Sequence, residues 1–441
     1  MATPTLALIP TGYKAGKLYS VLPESGVGDF TVVRATEATR VNEEGLIETM
    51  GANVPRLDYS GGGCPVLLTE PQRSNLFPYS SDYNQTDWTK INITIESNST
   101  ISPDGTLNAD KILEQVDSAN GHFMFDNLGL SINTEYNFSI FVKKLNRRYV
   151  AIQNSYNAAN GSIAFFDLDT ESLVYTYSAG TVGTFIVSDA KIEKYPNGWY
   201  RLSATFESDA AGGVLPSLVL ANSQWSTGFS YNNLYTGDVT KGIYAWGAQV
   251  ESNASYPTSL IKTSGSAVTR NGDQVYGSGD AATFNDSEGV LMLEASALAD
   301  DGTNRFISLT DGSNDNRVLF GYRASSNQVF ARIEGNNSAS VDLTNVVNDT
   351  KTVIKLAIYY DNLYNYKMYI NGFLVDSAIG TDSIIGLNIL DFTNATGAEQ
   401  FYGNTKQLQY FNTALTDSEL ETLTSWTSFI EMAQAQNYNI I

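Results

Sequence analysis

Short runs in which apolar residues recur at every second position fill this chain, and that period constrains its fold more than any other feature. In Tyr136-Asn137-Phe138-Ser139-Ile140-Phe141-Val142 the apolar side chains sit mostly two apart. Trp199-Tyr200-Arg201-Leu202-Ser203-Ala204-Thr205-Phe206 and Lys355-Leu356-Ala357-Ile358-Tyr359-Tyr360 repeat the pattern. Successive side chains of a strand point to opposite faces, so such runs, rich in β-branched and aromatic residues, predict half-buried strands. Turn signals at Pro103-Asp104-Gly105, Pro196-Asn197-Gly198, Asp311-Gly312 and Asn371-Gly372 punctuate them. Many short strands at this spacing predict an all-β chain of antiparallel sandwiches or jelly rolls. One clear helix is expected near the end. Thr416-Asp417-Ser418-Glu419 is a capping box, with Leu420, Leu423, Trp426, Phe429 and Ile430 following at helical spacing and a possible continuation through 431–435.

Composition closes several function classes. The chain has 441 residues, room for about three domains at roughly 150 residues each. With 42% hydrophobic and 12% aromatic residues it is not a disordered chain, and 17% charge disfavours a long coiled coil. Basic residues number 26 against 47 acidic, a net charge of −21, so no nucleic-acid partner is expected. One His and one Cys cannot build a His-rich metal site, a Cys-based zinc site or an internal disulfide. Cys64, in Gly61-Gly62-Gly63-Cys64-Pro65, reads as a small buried hydrophobe. The start of the chain lacks a basic region leading into an apolar run, and no stretch of 18 apolar residues exists. The expectation is a protein made in a cytoplasm, with no membrane insertion.

Charge is uneven along the chain. Residues 1–75 hold 6 basic and 8 acidic side chains, 76–270 hold 12 and 18, and 271–441 hold 8 and 21. The step, with the turn residues around 263–273, places a boundary near 270. The first 75 residues read differently from the rest: 30–41 looks like one strand and Val66-Leu67-Leu68 like a second. Two or three strands do not make a stable sheet, so this segment is expected to need a partner chain or surface.

Three resemblances follow the same divisions. Ala38-Thr39-Arg40-Val41-Asn42, Gly45-Leu46-Ile47-Glu48, Asn53-Val54-Pro55-Arg56-Leu57-Asp58-Tyr59 and the run from Cys64-Pro65-Val66 to Ser74-Asn75-Leu76 together resemble the N-terminal region of appendage proteins of tailed bacteriophages, found on head or tail fibres. Asn75-Leu76-Phe77-Pro78-Tyr79-Ser80, Asn197-Gly198-Trp199-Tyr200-Arg201-Leu202 and Tyr244-Ala245-Trp246-Gly247-Ala248 resemble a carbohydrate-binding-module jelly roll. Lys367-Met368-Tyr369-Ile370-Asn371-Gly372 and Tyr410-Phe411-Asn412-Thr413-Ala414-Leu415, with the helix after them, resemble a concanavalin A-like or laminin-G-like sandwich. The resemblances imply three regions: 1–75 for attachment and oligomerisation, 76–270 as a jelly roll, and 271–441 as a lectin-like sandwich. A sandwich does not by itself fix function.

Two loops are candidate sites. Sugar binding wants aromatic faces with amides and carboxylates for hydroxyls. Trp225, Phe229, Tyr231 and Tyr235 crowd the loop 222–237, with Asn222 and Asn232 among them. The alternative is ordinary loop packing or a subunit contact, since Tyr, Trp, Asn and Ser also make generic surfaces. Trp199 and Trp246, inside strand patterns, are expected in the core. Asp311, Ser313 and Asp315 have the opening spacing of a calcium loop, but Tyr322 stands where a bidentate Glu is needed. A solvated acidic turn is the reading taken, and no cofactor is expected. No Glu-x-Asp-x-x-Glu strand of a glycosidase is present.

These readings converge on a non-enzymatic virion appendage, a head fibre or short tail-associated fibre, displaying glycan-binding domains. Its expected partners are itself, as a homotrimer, the capsid or tail proteins of the particle, and a host-surface glycan. The alternative is a bacterial surface or secreted glycan-active protein, either a lectin or a hydrolase.

Overall fold

The computed structural model describes residues 2–117, 121–181, 183–209, 215–336, 340–427 and 431. It is nearly all β, with antiparallel sheets and one helix longer than a turn, Asp417–Thr424, among the described residues. No helix among them is long and apolar enough to cross a membrane. The chain divides into two compact units, one of residues 38–49 with 72–270, the other of 1–37, 50–71 and 271–441.

The first of these units is a sandwich of two six-stranded sheets. One runs Thr89–Ile91, His122–Phe125, Pro216–Ala221, Tyr149–Asn157, Asn160–Asp167, Ser172–Ala179. The other runs Ile93–Ile101, Leu107–Glu114, Gly242–Ser252, Tyr136–Lys144, Trp199–Ser208, Phe185–Tyr195. Alternation sets the layers. In Tyr136–Lys144, Phe138, Ile140 and Val142 enter the core between the sheets, where they join Met124, Ile152, Phe166 and Leu218. Phe141 takes the opposite face and meets Trp199 and Trp246 in a second, outer cluster that Ile47 and Leu260 also enter. Both tryptophans are only 1% exposed, as expected of strand residues.

The strand Gly242–Ser252 carries a bulge beside Trp246. Ser139 pairs Gln249 and Phe141 pairs Trp246, so Gly247 and Ala248 share one residue of the neighbouring strand. Gly247 sits at φ +63°, and a Cβ there would come within 3.0 Å of Phe141 and 3.2 Å of Leu260. Glycine is what this backbone admits, and a bulge re-aims the side chains next to it.

The other unit holds an eight-stranded sheet with Gly289–Ala297 and Gly403–Phe411 near its middle, and a five-stranded sheet from Arg305 to Asp391. Their shared core runs through Leu291, Leu293, Ile307, Val318, Phe320, Leu356 and Ile358. The hairpin at Asn371-Gly372 forms as its sequence predicts: Ile370 pairs Phe373, and the two turn residues take φ +51° and +88°. The capping box also forms, with Thr416 Oγ1 accepting from the Glu419 N–H and the Glu419 carboxylate accepting from the Thr416 N–H. Leu420 is buried against Val290, Met292 and Phe411. Phe429, Ile430 and the continuation beyond Glu431 lie outside the described residues.

Residues 1–75 are arranged otherwise than expected. The stretch 30–41 is two strands, Phe30–Val33 and Ala38–Val41, in different units. The break falls at Arg34, whose N–H is taken by Asn53 Oδ1 and whose guanidinium turns inward to Asp273. The early strands find partners within the same chain. Leu6–Leu8 and Val66–Thr69 pair Gly403–Phe411, and Phe30–Val33 pairs Gln274–Tyr276. The premise that these strands need a neighbouring chain therefore does not hold. Their anchor is a buried, neutral set of four charges: Arg34 and Arg56 with Asp273 and Glu70. Burial works against the Arg56 charge, but Asp273 and Glu70 outweigh it and hold the guanidinium above its ordinary range. Removing one partner of such a set typically costs about 3–5 kcal/mol, because the other charge is left buried.

Candidate functional site

A cleft of about 440 Å³ opens in the sandwich of residues 38–49 and 72–270, beside the bulge that positions Trp246. Its walls come from 79–82, 97–98, the strand Leu107–Glu114, Trp246 and 262–264. The start of the jelly roll is tied down around it. Asn75 donates to the carbonyls of Ala248 and Ile261, and the Ala248 N–H donates to the Ser80 carbonyl at 2.7 Å. Asp110 accepts from the backbone N–H groups of Tyr83 and Asn98, each at 3.0 Å, so its two oxygens hold two wall segments in place. Burial pushes the Asp110 carboxyl above the usual carboxylate range, against those two N–H bonds. On the rim, Lys262 donates to Asp104 at 2.8 Å and lies 5.6 Å from the Trp246 ring centre. Burial would raise Asp104, but hydrogen bonds from Lys262, Ser102 and Thr106 hold it down to about 2.

Three polar atoms on residues lining this cleft are buried and have no hydrogen-bond partner among the described residues: Trp246 Nε1, Asn108 Oδ1 and Thr263 Oγ1. They are a donor, an acceptor and a group that is both. A buried polar group left unpaired costs about 1–3 kcal/mol, so folded proteins leave few of them. All three are shielded from a water-sized probe, so a hydroxyl-rich ligand in the cleft would complete them only where the wall yields to it. Sequence reading placed Trp246 in the core, which is where its ring lies. What it missed was the indole N–H, because nothing in a strand pattern tells which polar atom will lack a partner.

The aromatic loop proposed from the sequence is placed differently. Trp225 is 5% exposed and Phe229 fully buried, both packed on the outer face of the first sheet with Phe123 and Phe165. Ring centres lie 5.2 Å apart for Phe165–Trp225 and 5.5 Å for Tyr177–Phe229. Tyr231 meets Phe123 edge-on at 5.4 Å. Tyr235 donates to buried Glu114 at 2.6 Å, and Glu114 also pairs Arg147. Asn232 Oδ1 accepts from the Phe229 N–H, and exposed Asn222 accepts from the Ser223 hydroxyl. The faces of Trp225 and Phe229 are covered by packing, while Tyr231 and Tyr235 are half-buried. A signal for this packing was present, since Tyr175 and Tyr177 put an aromatic outer face on the strand Ser172–Ala179, and such a face needs a cover.

The acidic turn closes on itself. Asp311 Oδ1 accepts from the N–H and hydroxyl of Ser313, Oδ2 accepts from Asn316, and the Asp315 N–H donates to Ser313 Oγ. Burial raises Asp311, and these bonds pull it below its usual range. Among the described residues no group of three or more His, Cys, Asp or Glu is placed to hold a metal ion. Cys64 is exposed, a correction to its expected burial. Gly62 and Gly63, at φ +70° and +69° with open space where a Cβ would be, carry the chain out into a surface turn. The single His122 is buried, with its ring nitrogens 2.9 and 3.2 Å from the carbonyl oxygens of Asn92 and Tyr235.

The fold and cleft define a class, an all-β protein built of antiparallel sandwiches with a polar groove in its jelly roll. No protein-family model and no curated protein matches the sequence. Parts of the chain are similar to solved structures. The CBM40 of the Ruminococcus gnavus IT-sialidase, bound to α2,3-sialyllactose, is 17% identical over 33% of this chain and 86% of that one, with a TM-score of 0.29. The SAP-like pentraxin of Limulus polyphemus is 13% identical over 32% and 71%, with a TM-score of 0.26. The binding domain of botulinum neurotoxin DC is 14% identical over 35% and 40%, with a TM-score of 0.29.

Proposed function

We propose that this chain is a non-catalytic virion appendage of a tailed bacteriophage, a head fibre or short tail-associated fibre, whose jelly roll holds a neutral saccharide in the Trp246 cleft. One observation carries the binding part: three buried, unpartnered polar atoms on residues of a single cleft. The virion part is supported by the fibre-like runs between residues 38 and 76. Binding without hydrolysis is supported by Asp110, whose two oxygens serve as struts for backbone N–H groups. The homotrimer stays within the proposal. Its support is an edge strand, Phe373–Ile379, with Phe373, Leu374 and Ile379 exposed, since an open apolar edge invites another chain.

The test is calorimetric titration of the full chain with panels of neutral oligosaccharides. Trp246→Phe keeps an aromatic ring and removes the indole N–H. It is expected to weaken binding about tenfold, the effect of losing one hydrogen bond to a buried group. Release of reducing ends by the wild-type chain would overturn the non-catalytic reading. Failure of the protein to sediment with purified particles would overturn the virion reading, and a single monomeric species at high concentration would remove the trimer.

A further inference from the structure

In the unit of residues 1–37, 50–71 and 271–441, the outer face of the five-stranded sheet carries an apolar floor of Phe306, Leu319 and Phe330. Gly321 pairs Phe306 on one side and Phe330 on the other. The two phenylalanine rings, with centres 5.8 Å apart, flank the position that has no side chain. A cleft of about 230 Å³ lies there, lined also by three arginines, three asparagines and Glu399. Two of the arginines are held by carboxylates, Arg317 by Glu334 and Arg332 by Asp342. The third is not. The half-buried Arg323 guanidinium lies 4.2 Å from the Phe330 ring centre and has no ion pair or side-chain hydrogen bond among the described residues.

We infer that this cleft is a subsite for one carboxylate-bearing sugar ring, with its carboxylate on Arg323. A guanidinium lying on an aromatic ring keeps its N–H groups for an in-plane partner, and that fork matches a carboxylate. The walls supply the rest. Asn304 and Asn394 each donate to Glu399, at 2.6 and 2.8 Å, which presents a fixed carboxylate as an acceptor for hydroxyls. Asn314 accepts from Arg317, leaving its amide N–H₂ as a donor. A sugar ring uses donors and acceptors together, whereas an acidic peptide side chain uses the guanidinium alone. The volume is below the roughly 300 Å³ at which drug-sized pockets begin, so it suits one ring and not a chain segment. The net charge of −21 repels polyanions at long range, so retention must come from this short contact. The site shares no residue with the Trp246 cleft and stands or falls separately from it.

The experiment titrates the full chain, by NMR or calorimetry, with glucuronate and galacturonate, their methyl esters, the parent neutral sugars, acetate, and a short glutamate peptide. The expected result is millimolar binding of a uronate, about tenfold weaker for its ester and neutral parent, as loss of a charge-assisted pair implies. Arg323→Gln should lose the same factor, Arg323→Lys should recover part of it, and Trp246→Phe should leave it unchanged, all with unaltered melting curves. No uronate binding up to about 50 mM, the weak end of measurable affinity, overturns the inference. So does equal binding of the ester, undiminished affinity in Arg323→Gln, or binding of acetate or the peptide as tight as that of the uronate.

Discussion

Both sheets of the jelly roll carry a buried tryptophan on the outer face, and the two positions differ in what surrounds them. Trp225 belongs to a loop that covers its sheet, among Phe123, Phe165 and Phe229, with Asn232 and Asn233 bonded to the loop's own backbone. Trp246 belongs to a strand, beside a bulge, and lines a cleft where its indole N–H finds no partner. The sequence density of aromatic and amide residues is higher around Trp225, yet the three buried polar atoms without a partner among the described residues are on Trp246, Asn108 and Thr263. In a sandwich, aromatic crowding reports a face that has to be covered. A site is reported by polar atoms that folding leaves over.

The largest effect that separates the two regions is on stability. Phe229→Ala should destabilise the jelly roll by about 3–5 kcal/mol, the usual loss for a fully buried phenylalanine. Saccharide affinity measured where the variant is still folded should not change. Chemical denaturation followed beside titration checks both. If Phe229→Ala weakened sugar binding while Trp246→Phe did not, the roles assigned to the two regions would be reversed.

Acid should act on two carboxyls, Asp126 and Asp104, with opposite sign. Asp126 follows the first sheet's strand His122–Phe125, and burial, with the Asp87 carboxylate adding to it, pushes its carboxyl up to about 6. A carboxyl raised on folding favours the protonated form. Its contribution is present below pH ~4 and is lost as pH rises from there to ~6. Asp104, paired with the cleft residue Lys262, is held down to about 2, so its contribution is present above pH ~4 and is lost as pH falls toward 2. Both groups are partly solvated, which reduces each effect to about 1 kcal/mol. Stability curves of Asp126→Asn and Asp104→Asn should flatten the upper and the lower window respectively. Flattening of the same window by both variants would break the contrast.

What the sequence made legible was local. Period two at Tyr136–Lys144, the Asn371-Gly372 hairpin and the Thr416–Glu419 capping box each depend on residues a few positions apart, and strand, hairpin and cap all form; the strand, expected half-buried, is buried on both faces because Trp199 and Trp246 join Phe141 on its outer side. Pairings across hundreds of residues were not legible. Leu6↔Tyr410 and Thr31↔Tyr276 depend on strands whose patterns name no partner. Arg34 illustrates the same limit: it reads as a charged residue inside a strand, and only the distant Asp273 explains why the strand stops there. Cys64 was misjudged because burial was inferred from residue type, while the positive-φ glycines before it turn the chain outward. For the cleft, strand patterns identified the buried ring of Trp246 correctly. Its function depends on one atom of that ring and on the company of Asn108 and Thr263, which only the folded chain assembles.

The smallest expected effect is also the most selective. Thr263 holds its place through its backbone: its N–H donates to Ser80 Oγ at 3.0 Å, and its carbonyl accepts from the Ser80 N–H and hydroxyl. Its own hydroxyl is buried and unpartnered. Thr263→Val keeps the shape and removes the unpaired group, so stability should be unchanged or rise by a few tenths of a kcal/mol, up to about 1. Affinity for saccharide should fall several-fold. Thr258 in the same unit is the control, because its equally buried hydroxyl donates to Glu251. Thr258→Val should therefore lose about 1–3 kcal/mol, the desolvation penalty of the partner left behind, and leave affinity alone. A stability loss at Thr258 alone and an affinity loss at Thr263 alone, from two identical substitutions, are what a ligand-completed Thr263 requires. A stability loss at Thr263 equal to that at Thr258 would mean that its hydroxyl is already paired in solution, and the cleft would then lose one of the three groups that define it.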